Sequence, residues 1–313
     1  MTQVAVTCIQ LIRDLPLCLS QFSKHRLEPV PASIAGQHLE GEDLVEALRG
    51  CIGVVAGDDQ FTATVMDRCP ELRVISKWGI GIDGIDLDAA KERNISVRNT
   101  PGMFDEEVGD VTMAYIVDVA RHLTLIDRGI RAGGWPKPPG ASLAGAALGI
   151  IGLGGIGRAV ARRAVVAGMR VSGFDPSEES ARLAAAIGVD VVDLSTVWAN
   201  SDFISVNAPL NPQTHHLLND DAFAKMKTGV RIVNTGRGHV VSSDALVKAL
   251  NSGKVAGAAL DVLEHEPLPE LHPLREFDNV IFGSHNASNT IEASMRTHQR
   301  AISNLVEELE LAE

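Results

Sequence analysis

The sequence predicts an α/β protein built from two parallel-sheet domains, and three observations carry that expectation. Short β-branched runs alternate with charged, helix-prone segments along nearly the whole chain, the pattern of repeated β-α-β units. Its 313 residues suffice for two cores of ordinary size. Aromatic residues make up only 4% while glycine reaches 29 residues, so the cores must be built from Ala, Val, Ile and Leu with close backbone approaches, as helix-covered sheets require.

Taken in order, the first hundred residues offer VAVTCI, EDLVEALRG, GVVAG, TATVMDRC, LRVISK, LDAAKERN and ISVRN, strands broken by helices. Residues 10–40 carry no clear period. A helix is predicted from about Phe104 to Ile130, with Val108, Val111, Tyr115, Val119, Leu123 and Ile126 spaced as one face. The prolines and glycines of residues 133–140 (GGWPKPPG) end it and make an exposed arm or hinge. A second series follows: ALGIIGL, the helix IGRAVARRAVVAG, MRVSGFD, the helix SEESARLAAAIG, VDVV, the helix DLSTVWAN, DFISVNAP, RIVNTG, DALVKAL, KVAGAALDV and NVIFGS. The closing run from Ile291 through Met295, Ile302, Leu305, Val306 and Leu309 is an amphipathic helix that packs on a domain face.

A formal charge of −12 argues against nucleic acid or an anionic membrane as partner, because no basic patch offsets it. Cys8, Cys18, Cys51 and Cys69 show neither C-x-x-C nor ligand spacing, so buried reduced thiols are expected and no metal site. No basic leader with a cleavage site and no membrane-length apolar run is evident, and a cytoplasmic protein is expected.

Gly152-x-Gly154-x-x-Gly157 stands between a predicted strand and a predicted helix, where glycines permit a tight turn and backbone N–H groups can approach a pyrophosphate. Such a pattern alone can be a ligand-free turn. Asp175 decides between the two, closing the next strand 23 residues after Gly152, where a carboxylate binds ribose hydroxyls. With no basic residue at 174–177 to meet a 2′-phosphate, NAD is favoured over NADP, in a Rossmann-type domain.

Three polar residues recur at strand ends in the second series: Arg237 in IVNTGRG, Glu266 in LDVLEHEP and His285 in IFGSH. Singly, each has a plain explanation as a surface cation, a turn carboxylate or a core histidine. Together they meet the needs of carbonyl reduction. Histidine can protonate the oxygen on which hydride transfer builds charge, a carboxylate orients the imidazole, and an arginine fork grips a substrate carboxylate. A 2-oxo acid is the substrate this set predicts.

The motifs KWGIGIDGIDLDAA (77–90), NTPG with EEVGD (99–110), GIIGLGGIGR (149–158), NAPLNPQT (207–214), VNTGRG (233–238), ALDVLEHEP (259–267) and NVIFGSHNAS (279–288) make the chain resemble the D-2-hydroxyacid dehydrogenase family over nearly its whole length. That family includes phosphoglycerate, glyoxylate/hydroxypyruvate and D-lactate dehydrogenases. The resemblance implies a Rossmann NAD-binding domain at 104–287 and a flavodoxin-like substrate-binding domain from 1–103 plus 288–313. It implies Arg237, Glu266 and His285 as the catalytic set, with His285 the proton donor. Gly79, Ile80 and Gly81 would receive the substrate carboxylate on backbone N–H groups, Asp261 would hold the nicotinamide carboxamide, and Gly155, Ile156, Asp175, Pro209, Thr214 and Thr235 would line the cofactor. It further implies a homodimer formed through the arm at 105–148.

Departures from the family pattern bear on the substrate. Where phosphoglycerate enzymes are expected to carry a basic residue, this chain has Gly57-Asp58-Asp59, and two acids disfavour a phosphorylated substrate. Lys77 stands where those enzymes have arginine and either binds an anion or is a surface lysine. Asp58 and Asp59 could repel phosphate, attract a cation or face solvent. Asp83-Gly84 replaces the usual Asp-Asn, and Asn286 follows the histidine in place of an apolar residue. The rival reading is a non-catalytic NAD-binding redox sensor or corepressor on the same scaffold, against which the intact Arg, Glu and His set weighs. A formate dehydrogenase would carry Gln in place of Glu266.

Overall fold

A computed structural model describes residues 1–311 and divides the chain into two compact units, Met1–Phe104 with the segment beginning at Asn289, and Asp105–Ser288. Both junctions lie one residue beyond those read from the sequence.

The first unit alternates strand and helix: β1 (Thr2–Val6), α1 (Ile9–Lys24), β2 (Leu27–Pro31), α2 (Gly41–Leu48), β3 (Gly53–Ala56), α3 (Ala63–Asp67), β4 (Val74–Lys77), α4 (Leu87–Glu92) and β5 (Ser96–Arg98). Its five strands are all parallel, in the order β2-β1-β3-β4-β5. The period of two along each strand sends Ala5, Val54 and Ile75 to one face, where they pack with Leu44, Leu48 and Met66 of the α2–α3 side. Val4, Val6, Val55 and Val74 go to the other, against Leu11, Phe22, Ala301 and Leu305. The last two belong to the closing helix Ile291–Leu311, which covers this face although it comes from the far end of the sequence. The unreadable residues 10–40 hold α1, with Pro16 inside it, and β2, with Pro29 and Pro31. β2 pairs only with β1 at the sheet edge, where proline is tolerated.

The second unit begins with α5 (Asp105–Arg121) and α6 (Leu123–Arg131), then β6 (Ala147–Ile151), α7 (Gly155–Val166), β7 (Arg170–Phe174), α8 (Glu178–Ala185), β8 (Asp190–Val191), α9 (Leu194–Asn200), β9 (Phe203–Val206), α10 (Asp220–Lys225), β10 (Val230–Asn234), α11 (Ser243–Asn251), β11 (Val255–Leu260) and β12 (Val280–Phe282). Two 3₁₀ turns, Gly238–Val240 and Pro273–Glu276, follow β10 and precede β12. Its seven parallel strands run β12-β11-β10-β9-β6-β7-β8, so the order reverses between β6 and β9, the switch point at which such sheets take ligands. One long helix was expected across 104–130. The structure breaks it at His122, whose φ is +58°, while Asp118 accepts the Thr124 N–H at 2.9 Å to start α6. The buried face of α5 is Val108, Gly109, Thr112, Ile116, Val119 and Ala120, so Val111, Tyr115, Leu123 and Ile126 of the expected stripe are not fully buried.

All four cysteines are buried and unpaired, and burial pushes the Cys8 thiol up to about 12. Among the described residues no helix is long and apolar enough to cross a membrane.

Candidate active site

The second unit gathers its chemistry along one edge. Strand register aligns Ile151 with Phe174 and Val206, Val206 with Asn234, Asn234 with Leu260 and Leu260 with Phe282, so the carboxyl ends of six strands form a row. Gly152, Asp175, Asn207, Thr235, Asp261 and Gly283 begin the segments that leave it.

At the β6 exit Gly152 takes φ +89°, a left-handed turn that glycine enters without a steric penalty. A Cβ at Gly157 would lie 2.0 Å from the Gly152 carbonyl, so helix and turn meet through bare backbone. Around Gly154, by contrast, a Cβ would meet nothing within 4 Å. Open space beside the N-terminus of a twelve-residue helix fits a pyrophosphate. Asp175 accepts the N–H groups of Leu153 at 2.7 Å and Ser177 at 2.8 Å, which fixes the carboxylate between the glycine turn and the next loop, as a ribose contact requires. Ile156 is half-buried and packs on the α5–α7 core. The carbonyl of the exposed Pro209 accepts the Thr214 hydroxyl at 2.6 Å, closing the loop after β9. Thr235 is buried, its hydroxyl 2.8 Å from that of Thr112 and 3.3 Å from Asn207 Oδ1. Every cofactor position read from the sequence thus lies in this one unit, and the cradle, the acid and the loops have the shape and polarity of a dinucleotide site. Among the described residues no cluster of three or more His, Cys, Asp or Glu could hold a metal ion.

Arg237, Glu266 and His285 follow the neighbouring strands β10, β11 and β12. His285 Nδ1 is 2.8 Å from Glu266 Oε2, the two side chains 26% and 21% exposed. Glu266 Oε1 accepts the Leu263 N–H at 2.8 Å, which orients the carboxylate toward the ring. Because Nδ1 faces a carboxylate, it carries the hydrogen, and Nε2 is the nitrogen left for chemistry. Half-buried Arg237 extends at the start of the 3₁₀ turn, with Nη1 donating to the Gly236 carbonyl at 3.0 Å while Asn234 Nδ2 holds the Arg237 carbonyl at 3.0 Å. His285 itself takes φ +56°, and its N–H donates to the Asp261 carbonyl at 2.7 Å.

Lys77, Gly79, Ile80 and Gly81 lie in the first unit, where β4 ends. Gly79 takes φ +125°, and its N–H already donates to Thr100 Oγ1 at 2.8 Å. Asn99 Nδ2 holds the Ile80 carbonyl at 2.7 Å. The N–H groups of Ile80 and Gly81 have no partner among the described residues, whereas that of Gly79, expected to act with them, is already donated. Lys77 is not a surface lysine: its side chain is 7% exposed, and Nζ meets Asp58 Oδ1 at 3.0 Å and the Trp78 carbonyl at 2.7 Å. Asp59 does not face solvent either. It is 2% exposed and accepts from the Thr7 hydroxyl and the N–H groups of Leu39 and Gly57, and burial raises its carboxyl above the usual range.

The motif NTPG gives no sign by itself that Asn99 and Thr100 brace the Gly79–Gly81 loop, and helical spacing alone puts Tyr115 in an apolar stripe. Tyr115 instead donates its phenol to Asp261 Oδ1 at 3.2 Å. The chain's sole tyrosine, on a helix with no other aromatic residue, was the available signal.

Residues 113–287 match the family model described as D-isomer specific 2-hydroxyacid dehydrogenase, NAD binding domain. A glyoxylate reductase of Thermofilum pendens is 41% identical over 254 residues, covering 79% of this chain and 75% of that protein. The hydroxypyruvate reductase of Thermotoga maritima is 37% identical over 281 residues, covering 88% and 90%. Among solved structures, D-lactate dehydrogenase from Aquifex aeolicus, complexed with NAD and lactic acid, superposes with a TM-score of 0.85 at 25% identity, over 98% of this chain and 95% of that one.

Proposed function

This chain belongs to the D-isomer specific 2-hydroxyacid dehydrogenases, NAD-dependent oxidoreductases, and we propose that within that family it reduces a small, unphosphorylated 2-oxo acid with His285 as proton donor. The observation that carries the assignment is the 2.8 Å contact of His285 Nδ1 with Glu266 at the exits of adjacent strands. NADH, when bound, supplies the hydride that adds to the 2-oxo carbon. Gly152, Gly154, Gly155, Ile156 and Gly157 would hold its pyrophosphate and Asp175 its adenosine ribose, with Pro209, Thr214, Thr235 and Asp261 lining the remainder. Glu266 orients the imidazole so that Nε2 delivers a proton to the oxygen that becomes the 2-hydroxyl. The Arg237 guanidinium offers a planar pair of donors to the acid's carboxylate and polarises its carbonyl.

The absence of phosphate from the substrate is supported by the Lys77–Asp58 pair. A buried ammonium bound to a carboxylate is close to neutral as a unit, and a phosphate dianion needs net positive charge or several free donors. Two relatives' names, glyoxylate reductase and hydroxypyruvate reductase, agree in kind with such a substrate. A homodimer is proposed on the arm. α6 buries none of its residues, and Leu123, Ile130 and, beyond its end, Trp135 are 50%, 41% and 77% exposed, an apolar surface that a second copy would cover.

The test is NADH consumption against glyoxylate, hydroxypyruvate, pyruvate, 2-oxoglutarate and phosphohydroxypyruvate. His285→Ala should lower kcat by about 100- to 10,000-fold. Asp58→Asn, which frees the Lys77 charge, should raise kcat/KM for phosphohydroxypyruvate relative to hydroxypyruvate by about tenfold. Activity that survives His285→Ala, or an unchanged ratio in Asp58→Asn, refutes the corresponding part.

A further inference from the structure

Resting on the reading of His285 as proton donor, we propose that Tyr115 and Asp261 are positioning residues that grip the backbone of the His285 turn, a role for Asp261 in addition to any contact with the nicotinamide. Three consecutive N–H groups converge on Asp261. That of His285 reaches its carbonyl at 2.7 Å, that of Asn286 its Oδ1 at 3.4 Å and that of Ala287 its Oδ2 at 3.0 Å. Asp261 is 3% exposed and is the first residue after β11, so the gripping group is itself anchored to the sheet. Tyr115, on α5, donates to the same Oδ1 at 3.2 Å.

Glu266 and Asp261 divide the work. Glu266 fixes the imidazole ring through Nδ1 but makes no contact with the turn's N–H groups. Asp261 fixes where the turn stands, and His285, a non-glycine residue at φ +56°, needs such outside support to hold that conformation. Gly283 points to the same arrangement. A Cβ there would lie 2.1 Å from Asp261 Oδ1 and 2.4 Å from the Tyr115 hydroxyl, so the glycine keeps open the space in which the two oxygens meet. The phenol remains a donor throughout the neutral range, because burial, reinforced by the Asp261 charge, raises its pKa. Without Tyr115, Oδ1 loses its one side-chain donor of these, and the carboxylate is free to rotate away from Asn286 and Ala287. The general acid would then swing with its turn, and a displacement of about 1 Å in such a group can cost about 100-fold in rate.

The experiment is Tyr115→Phe in the full chain, read two ways. Hydrogen exchange followed by mass spectrometry on a peptide spanning 283–288 reports the grip without reference to activity. Reduction of hydroxypyruvate by NADH, with KM, NADH affinity and the solvent deuterium isotope effect, reports the consequence. The expected result is exchange at 285–287 about tenfold faster, kcat about tenfold lower and a larger solvent isotope effect, with KM and NADH affinity within about twofold of wild type. Asp261→Asn should accelerate the same exchange further. Unchanged exchange in both variants overturns the grip. Faster exchange with unchanged kcat and isotope effect overturns the positioning role. If the wild-type protein reduces none of the 2-oxo acids, the functional reading fails, while the exchange data still decide whether the grip exists.

Discussion

His285, the proposed proton donor, and Asp14 are each held by a few named neighbours. At His285 the ring is held by Glu266 and the backbone by Asp261, so either partner can be altered without deleting the donor itself. Glu266→Gln keeps the shape and removes the charge, and kcat should fall about 10- to 100-fold with little change in KM, as steady-state kinetics would show. Asp14 lies in a chain of polar contacts within the first unit: Trp78 Nε1 donates to His298 Nδ1 at 3.0 Å, His298 Nε2 stands 3.2 Å from Asp14 Oδ2, and Arg13 donates to both Asp14 oxygens. The Arg13 guanidinium, with His298 adding to it, holds the Asp14 carboxyl at about 2, below its ordinary 3.8. A depressed carboxyl stabilises the fold above its unfolded pKa, and that stability is lost as pH falls through the folded value. Wild-type protein should therefore lose about 1 to 2 kcal/mol from this group between about pH 4 and pH 2. Asp14→Asn should flatten that part of the stability–pH curve, measured by denaturant unfolding across that range. An unaltered slope would contradict the assignment.

Among the elements, α7 and its glycine turn depend on a neighbour that sequence spacing does not reveal. A Cβ at Gly155 would lie 1.8 Å from Asp105 Oδ2, so the first residue of α5 occupies the space a side chain would need at the start of α7. Burial raises the Asp105 carboxyl above its usual range. Gly155→Ala should weaken NADH binding by about tenfold by displacing the helix N-terminus, and Asp105→Ala in the same chain should restore most of the loss. Fluorescence titration of NADH across the four proteins of this cycle measures the coupling. Additive losses would mean that Asp105 is not the obstruction.

For the whole molecule, two cores and one apolar arm set the organisation. Each unit has a sheet with buried side chains on both faces, while Leu123, Ile130 and Trp135 on and after α6 stay exposed among the described residues. Leu123→Glu with Trp135→Glu should convert a dimer into a monomer in sedimentation velocity, with each unit's core intact by circular dichroism. A wild-type chain that already sediments as a monomer would refute the dimer.

Local pattern was enough to read the strands VAVTCI, GVVAG, ALGIIGL, DFISVNAP and RIVNTG, because a fully buried parallel strand must be a continuous apolar run. The glycine turn, Asp175 and the three residues after β10, β11 and β12 could be placed at the carboxyl edge for a related reason: each lies within a few positions of a strand end, and that edge is where open α/β sheets take ligands. Residues 10–40 were not, since an edge strand with two prolines and a helix containing Pro16 violate the local rules and are held by packing. Nor could spacing show that α5 and α6 part at His122, a break sustained by Asp118. The sequence by itself determined the α/β class and the family of NAD-binding domain to which the chain belongs. Only tertiary structure decided what Lys77, Asp59 and Tyr115 touch, because their partners lie 19, 52 and 146 positions away, brought together by the folding of separate strands and helices.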